Sequence, residues 1–247
     1  MCQISIVIPI KNEAENISAL IEDIQHNCQG HASFEIIVVD DASTDNSVQI
    51  VRDMILNSKN LRLLQHDRSG GQSAAVHSGV LQARGGIVAT LDGDGQNPPK
   101  ELPGLFAPLL DPNASDMLGL IAGQRVKRQD TLSKKLASKF ANGLRSALLK
   151  DGTRDTGCGL KAFRRDAFLE LPYFNHMHRY LPALFTRAGW EIAHVDVSHL
   201  ARGGGKSNYS NLQRGLVGAV DLIGVMWLMR RRKTTRATEY GAAKGQS

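Results

Sequence analysis

The hydrophobic pattern of the first hundred residues switches back and forth between two periods. Ile4-Ser5-Ile6-Val7-Ile8 is a β-branched apolar run closed by Pro9, the signature of a strand buried on both faces. Apolar residues then thin to one face, and Asn12 with Glu15 three positions on reads as a helix start, which predicts a helix to about Asn27. Phe34 to Val39 repeats the strand signal and ends at Asp40-Asp41. The same alternation predicts a helix from about Asp45 to Leu56, a strand from Leu61 to Gln65 and a helix from Gly71 to Ala83. Gly86 to Leu91 is a fourth strand, ending at Asp92, and Pro98-Pro99 suits the start of a further helix. Strands alternating with helices predict βαβ units, hence an α/β fold with a mostly parallel sheet.

The second half is less regular. Met117 to Gly123 reads as a strand, Leu132 to Leu149 as a helix and Asp155 to Phe163 as a glycine-rich stretch. Tyr180 to Ala188 is a short helix, Trp190 to Val197 a strand, and Leu212 to Arg231 a long final helix. No repeat or linker divides the chain. One domain is expected over residues 1–232, with an amphipathic helix at about 210–232 and a polar, disordered tail at 233–247.

Composition narrows the class. Of 247 residues, 42% are hydrophobic and 22% charged, so a packed core is expected rather than disorder. Three cysteines, none in a CxxC pair, argue against a disulfide scaffold or a structural zinc site and suit a reducing compartment. No basic leader precedes Ile4, so no signal peptide is expected, and no apolar stretch reaches the roughly 20 residues of a membrane span. The net charge is +6 and the pI about 9.3, which fits phosphorylated ligands or anionic lipid. Nucleic acid is not expected as a partner, since no zinc-finger or aromatic RNA-binding signature is present.

Chemistry concentrates where strands end, and in such sheets ligands bind outside the carboxyl ends of the strands. Asp92-Gly93-Asp94-Gly95-Gln96 places two carboxylates one residue apart at a strand end. Such oxygen ligands suit Mg²⁺ or Mn²⁺ and leave positions open for substrate phosphates; Gln96 could supply a third oxygen. The plain alternative is a polar turn. Asp40 and Asp41 can accept from a base or ribose, or cap a helix, and Asn12-Glu13 carries the same two readings.

The motifs Ile8-Pro9-Ile10-Lys11-Asn12-Glu13, Val38-Val39-Asp40-Asp41-Ala42-Ser43-Thr44-Asp45 and Asp92-Gly93-Asp94-Gly95-Gln96-Asn97-Pro98-Pro99 resemble, in that order, the family 2 glycosyltransferases. Within these the chain looks most like the dolichol-phosphate and polyprenol-phosphate mannose or glucose synthases, over about residues 3–230. The resemblance implies a three-layer α/β/α GT-A fold and a metal-dependent, inverting hexosyltransferase. Its donor would be a nucleotide-diphosphate sugar, GDP-mannose ahead of UDP-glucose, and its acceptor a polyprenyl phosphate. Pro9, Asn12, Glu13, Asp40, Asp41 and Asp92 would line the nucleotide pocket, and Asp92, Asp94 and Gln96 would hold the metal. Arg125 matches an arginine that approaches the donor phosphates. Lys11 departs from the family, which often has an aromatic residue there, and removes the ground for a stacking contact on the base.

His178-Arg179-Tyr180-Leu181-Pro182 and Arg202-Gly203-Gly204-Gly205-Lys206-Ser207-Asn208-Tyr209 resemble later segments of the same subgroup. Arg179, Arg202, Lys206 and Ser207 would hold the acceptor phosphate. Asp155, in a segment with a family counterpart near the sugar, is the candidate base should the acceptor be a hydroxyl; a structural turn is the alternative. Cys158 has no adjacent histidine to activate it and reads as a buried thiol. His176 and His178 are assigned no metal. Two other classes compete: a nucleotidyltransferase, which would begin with a glycine-rich phosphate loop, and a non-catalytic binding module. The final helix, followed by Arg230, Arg231, Arg232 and Lys233, either lies at a membrane interface or packs Leu216, Val220, Ile223 and Trp227 on the core. The first option places the protein in the cytoplasm, peripheral at the inner face of the cytoplasmic membrane.

Overall fold

The computed structural model of the chain describes residues 2–126, 143, 145, 148, 149, 151–198, 200, 211–231 and 235, without side chains at 211–216. The first half builds β1 (Ile4–Ile10), α1 (Ile17–Cys28), β2 (Phe34–Asp40), α2 (Ser47–Ile55), β3 (Leu61–Gln65), α3 (Gln72–Gln82) and β4 (Ile87–Thr90). The second half adds α4 (Leu102–Leu110), β5 (Leu118–Arg125), β6 (Lys161–Arg164), α5 (Arg165–Leu169), α6 (Leu181–Ala188), β7 (Glu191–Val197) and α7 (Asn211–Arg230). The strands form one seven-stranded sheet in the order β3-β2-β1-β4-β6-β5-β7. All pairs are parallel except those of β6, which runs antiparallel to both β4 and β5.

Strand alternation explains the layers. Ile4, Ile6, Ile8 and Ile10 of β1 point into one core, shared with Ile17, Leu20, Ile21 and Ile24 of α1, Val51 of α2 and Leu102 and Leu105 of α4. Val7 points the other way, into a core with Ala75, Val76 and Val80 of α3, Phe168 of α5, Phe185 of α6 and Val225 of α7. Helices therefore cover both faces of the sheet, which is why the strands read as nearly continuous apolar runs. Ser5 and Glu35 are the polar exceptions. Glu35 accepts from Ser5 Oγ at 2.7 Å, Arg62 Nη1 at 2.7 Å and the Arg84 N–H at 2.7 Å, so its burial leaves no acceptor wasted.

The structure moves the start of the first helix. It begins at Ile17, not Asn12. Asn12 sits at φ 57; its N–H donates to Ser43 Oγ and its side-chain oxygen accepts the Thr44 N–H, both at 2.8 Å. Those bonds across to the loop after β2 outcompete helix capping. β1 runs through Pro9 to Ile10, since pairing with β4 stops at Val7 and asks nothing of the missing proline N–H. Most of the helix expected at 132–149 lies outside the described residues, as does the tail beyond Thr235.

α7 packs Leu222, Val225, Met226 and Met229 against the core. Arg187 of α6 ties down its last turn, donating to Leu228 O at 2.8 Å and Arg231 O at 3.1 Å, at the end of the helix where carbonyls run out of intrahelical α-type partners. Its other face is apolar and open: Val220, Ile223 and Trp227 are 70%, 68% and 57% exposed. Among the described residues no helix is long and apolar enough to cross a membrane.

The α3–β1 packing gives a test. A Cβ on Gly79 would strike the Val7 side chain and meet Val39 Cγ2 at 3.2 Å, whereas one on Gly104 of α4 would meet nothing within 4 Å. Alanine favours a helix by about 1 kcal/mol over glycine, while overpacking costs roughly 1–3 kcal/mol. Gly79→Ala should lower the unfolding free energy by about 1–2 kcal/mol and Gly104→Ala should raise it, as read from urea midpoints at constant m-value.

Candidate active site

The carboxyl ends of β1, β2 and β4 lie on one edge of the sheet and border a cavity of about 850 Å³. Pro9, Lys11 and Glu13 line it from the end of β1, Asp41 from the end of β2, and Asp92, Gly93 and Asp94 from the end of β4. The loop into α3 adds Ser69, Gly71 and Gln72; His176, His178 and Arg179 close the far side, and Val217 of α7 completes the wall. A smaller recess of about 260 Å³ adjoins it, shares Pro9, Gln72, Asp92, His178 and Arg179, and reaches Lys161.

Asp41 organises one side. Its carboxylate accepts from Ser69 Oγ at 2.7 Å, Gly70 N–H at 2.7 Å and Gly71 N–H at 2.9 Å, and meets His66 Nδ1 at 2.9 Å. Gly71, at φ 82, adopts a backbone that side-chain-bearing residues avoid. Burial alone would raise the Asp41 pKa, but these hydrogen bonds outweigh it and hold the carboxyl below its ordinary range. These partners hold the carboxylate in place on the cavity wall, which it lines together with Ser69 and Gly71. Lys11 Nζ is anchored to Ser69 Oγ at 2.8 Å, which adds a cation to the same wall.

Gln72 links this loop to the end of β4, donating from Nε2 to Asp92 Oδ1 at 2.7 Å; Asn97 Nδ2 donates to Asp92 Oδ2 at 3.0 Å. Asp94 Oδ1 accepts the Gln96 N–H at 3.2 Å. Burial, and next the charge of Asp94, push Asp92 above the ordinary carboxylate range, and burial pushes Lys161 below the ordinary amine range. Two adjacent acidic oxygen ligands facing a cavity fit a hard divalent cation, whose charge would relieve their mutual repulsion. No cluster of three or more His, Cys, Asp or Glu stands among the described residues, so such an ion would draw its other ligands from substrate, water or the Gln96 amide.

Arg125 and Asp155 turn toward each other. Arg125 donates from Nε to Oδ2 at 2.6 Å and from Nη2 to Oδ1 at 2.9 Å, and neither residue lines the main cavity or the recess adjoining it. His178 is partly buried, with Nδ1 2.7 Å from Ser73 Oγ. Burial first, and the neighbouring Lys161, Arg179 and His176 next, push it down to about 3, so its imidazole is neutral at physiological pH. Cys158 is buried, as its sequence context suggests.

The structure thus brings Pro9, Glu13, Asp41, Asp92, Asp94 and Arg179 to one cavity. Asp40 is fully buried and accepts the Ser43 N–H at 3.2 Å, so it caps a turn. Asn12 and Gln96 flank the cavity without lining it. Arg202, Lys206 and Ser207 lie outside the described residues. Sequence reasoning missed Gln72, Ser73, Lys11 as an anchored cation, and Lys161. The Gly70-Gly71 pair before a helix was the available signal for the first two. The non-glycine residues at positive φ among the described residues, Asn12, Ala42 and His176, all sit on loops around this site, where strain is commonly stored.

The family model described as Glycosyl transferase family 2 matches residues 5–171. Among curated proteins, the chain is 33% identical over 233 residues to a dodecaprenyl-phosphate galacturonate synthase of Rhizobium johnstonii, covering 92% of this chain and 68% of the relative. It is 34% identical over 212 residues to an undecaprenyl-phosphate 4-deoxy-4-formamido-L-arabinose transferase of Pectobacterium carotovorum, covering 85% and 63%. The chain therefore spans about two thirds of the length of such relatives. Among solved structures, glucosyl-3-phosphoglycerate synthase of Mycobacterium tuberculosis, in complex with Mn²⁺, UDP-glucose and glycerol 3-phosphate, superposes with a TM-score of 0.69 at 20% identity, covering 92% of this chain and 80% of that one. The fold is the GT-A α/β type expected from the sequence.

Two tests follow from the geometry. A Cβ on Gly159 would overlap the Asp92 carboxylate; Gly159→Ala should abolish Mn²⁺-dependent nucleotide binding in calorimetry while the far-ultraviolet circular dichroism stays unchanged. Asp41, with its folded pKa depressed, stabilises the native state above its unfolded pKa of about 3.9, a contribution lost as pH falls through the folded value. Asp41→Asn should lower stability at pH 7 and flatten the acid limb of the stability profile; an unchanged acid limb would assign that limb to other carboxylates.

Proposed function

Because the chain belongs to glycosyl transferase family 2, we propose that it transfers a sugar from a nucleotide-diphosphate donor to the phosphate of a polyprenyl lipid, with inversion. The observation that carries the reading is one cavity lined by the Asp92–Asp94 pair, by Arg179 and by an apolar helix residue, Val217. The carboxylates suit a metal-bound diphosphate, and a cation with an apolar surface suits a lipid phosphate. The names of the curated relatives, each acting on a prenyl phosphate, support the acceptor.

The reaction needs one in-line displacement: an acceptor phosphate oxygen bonds to the anomeric carbon as the bond to the nucleoside diphosphate breaks. Asp92 and Asp94 would hold a divalent ion, Mg²⁺ or Mn²⁺, which would supply charge neutralisation for the leaving diphosphate; the Mn²⁺ complex of the structural neighbour supports this reading. Gln72 and Asn97 hold Asp92 in place, so the site is organised before substrate arrives. The acceptor is already anionic, and no strong base is required. Asp155 gives both oxygens to Arg125, which weighs against the rival reading of a hydroxyl acceptor deprotonated by Asp155.

On the sugar, GDP-mannose is the expectation of the subgroup resemblance. The relatives' names carry galacturonate and formamido-arabinose, which argues for a sugar other than mannose, and the UDP-glucose held by the structural neighbour supports a uridine donor here. The exposed apolar face of α7, with Arg231 stacked 5.4 Å over the Trp227 ring and Arg230 beside it, supports a peripheral contact with anionic lipid at the cytoplasmic face of the membrane.

Asp94→Asn keeps the shape and removes a ligand charge. It should cut transfer by more than about 100-fold, beyond what loss of an outer-shell partner costs, and abolish Mn²⁺-dependent UDP binding. Near wild-type turnover would remove the metal from these residues, and tighter binding of GDP than UDP by the wild type would restore the guanosine donor.

A further inference from the structure

α7 does more than cover the core, because it also forms part of the cavity. His176 Nδ1 lies 2.8 Å from Asp221 Oδ2, and Tyr180 Oη donates to Gly218 O at 3.3 Å. Asp221 and Gly218 are three residues apart and share one side of the helix. His176 lines the cavity with Arg179, and Val217 lines it from α7 itself. From Val217 an apolar stripe runs outward through Val220, Ile223 and Gly224 to Trp227, all of them exposed, a track of about 15 Å at 1.5 Å per residue. The stripe starts at the cavity and ends under Arg231.

We propose that this corner is the subsite for the acceptor's phosphate and first prenyl units. His176 contacts the phosphate, Asp221 is its positioning residue, and Val217 begins the apolar path that the prenyl chain follows along α7. The inference rests on the lipid-phosphate reading above and gives it an address. Asp221 accepts from the Nδ1 side of the ring, which leaves Nε2 to the cavity. Arg179 lines the same wall and supplies a fixed positive charge. His176 holds φ 66, a strained backbone for a residue with a side chain. A partly exposed histidine–carboxylate contact contributes little to stability, so folding alone gives weak reason to keep this strained histidine against an acidic residue set in an apolar helix. A prenyl phosphate matches the corner in both of its parts: an anion for His176 and Arg179, a hydrocarbon for the stripe. The stripe's outer end, aromatic and basic, suits the bilayer surface where such a lipid resides.

The test is equilibrium binding to the full chain, with farnesyl phosphate, inorganic phosphate and UDP plus Mn²⁺ as separate probes. Asp221→Asn and His176→Ala should each weaken farnesyl phosphate about tenfold, the scale of a lost hydrogen bond to a charged group. UDP affinity and melting temperature should stay within error. Asp221→Glu should recover part of the loss, which a packing defect would not. Val217→Ser should weaken farnesyl phosphate and leave inorganic phosphate unchanged. Wild-type farnesyl phosphate affinity in the Asp221 and His176 variants would overturn the subsite, as would equal losses of UDP and farnesyl phosphate with a lowered melting temperature. If the wild type glycosylates a prenyl phosphate while these variants do so with unchanged acceptor KM, only the subsite fails. If it binds UDP with Mn²⁺ but neither binds nor glycosylates any prenyl phosphate, the acceptor reading falls with it.

Discussion

The Asp41 carboxylate is the constraint on which the rest of the site depends. It stands at the end of β2 and collects the Ser69 hydroxyl, the Gly70 and Gly71 N–H groups and the His66 ring. Those bonds fix the loop that opens α3, and the first residue of that helix, Gln72, then reaches Asp92. The sheet sets the spacing of β2 and β4 through β1, and the loop held by Asp41 bridges their ends through Gln72. An unpaired carboxylate here would be expensive to bury; with its donors in place it orders the loop instead. The same bonds fix where the Asp41 carboxylate stands on the cavity wall.

Charge of both signs lines the cavity. Asp92 and Asp94 supply carboxylates, and Lys11 and Arg179 supply cations. Lys161 lies buried behind Asp92, and Arg125 is locked to Asp155 beyond it. Such an arrangement suits a cation together with anions, as a metal-bound diphosphate requires. His178 stays neutral in its midst, so it contributes a polar contact without adding to either charge.

The parallel half of the fold was legible because each of its strands is a self-contained apolar run with a helix behind it. β1 to β4 fall within a few residues of the expected spans. The acidic strand ends were legible for the same reason: polar residues stand out where apolar runs stop. What could not be read were contacts between distant loops. Asn12 carries a helix-start signature, yet Ser43 and Thr44 claim it. Arg125 and Asp155 each suggest a catalytic role, and only their juxtaposition reveals that they satisfy one another. β6 is too short for its two apolar residues, Ala162 and Phe163, to announce a strand. The direction α7 faces was open as well, since its residues are apolar around most of the helix; Val225 turned inward and Trp227 outward only once α6 was in place beside it.

The antiparallel strand β6 has a consequence for how the chain is made. It sits between β4 and β5 and supplies the sheet partner of Thr90, just before Asp92. A growing chain emerging from the ribosome can therefore assemble β1 to β4 early, but β4 waits as an open edge until residues well beyond β5 have been synthesised. Unpaired edges of this kind invite association with other chains. The nascent protein is accordingly most vulnerable to misassembly in the interval between completion of β4 and arrival of β6, and the wall that Gly159 forms against Asp92 closes only at the end of that interval.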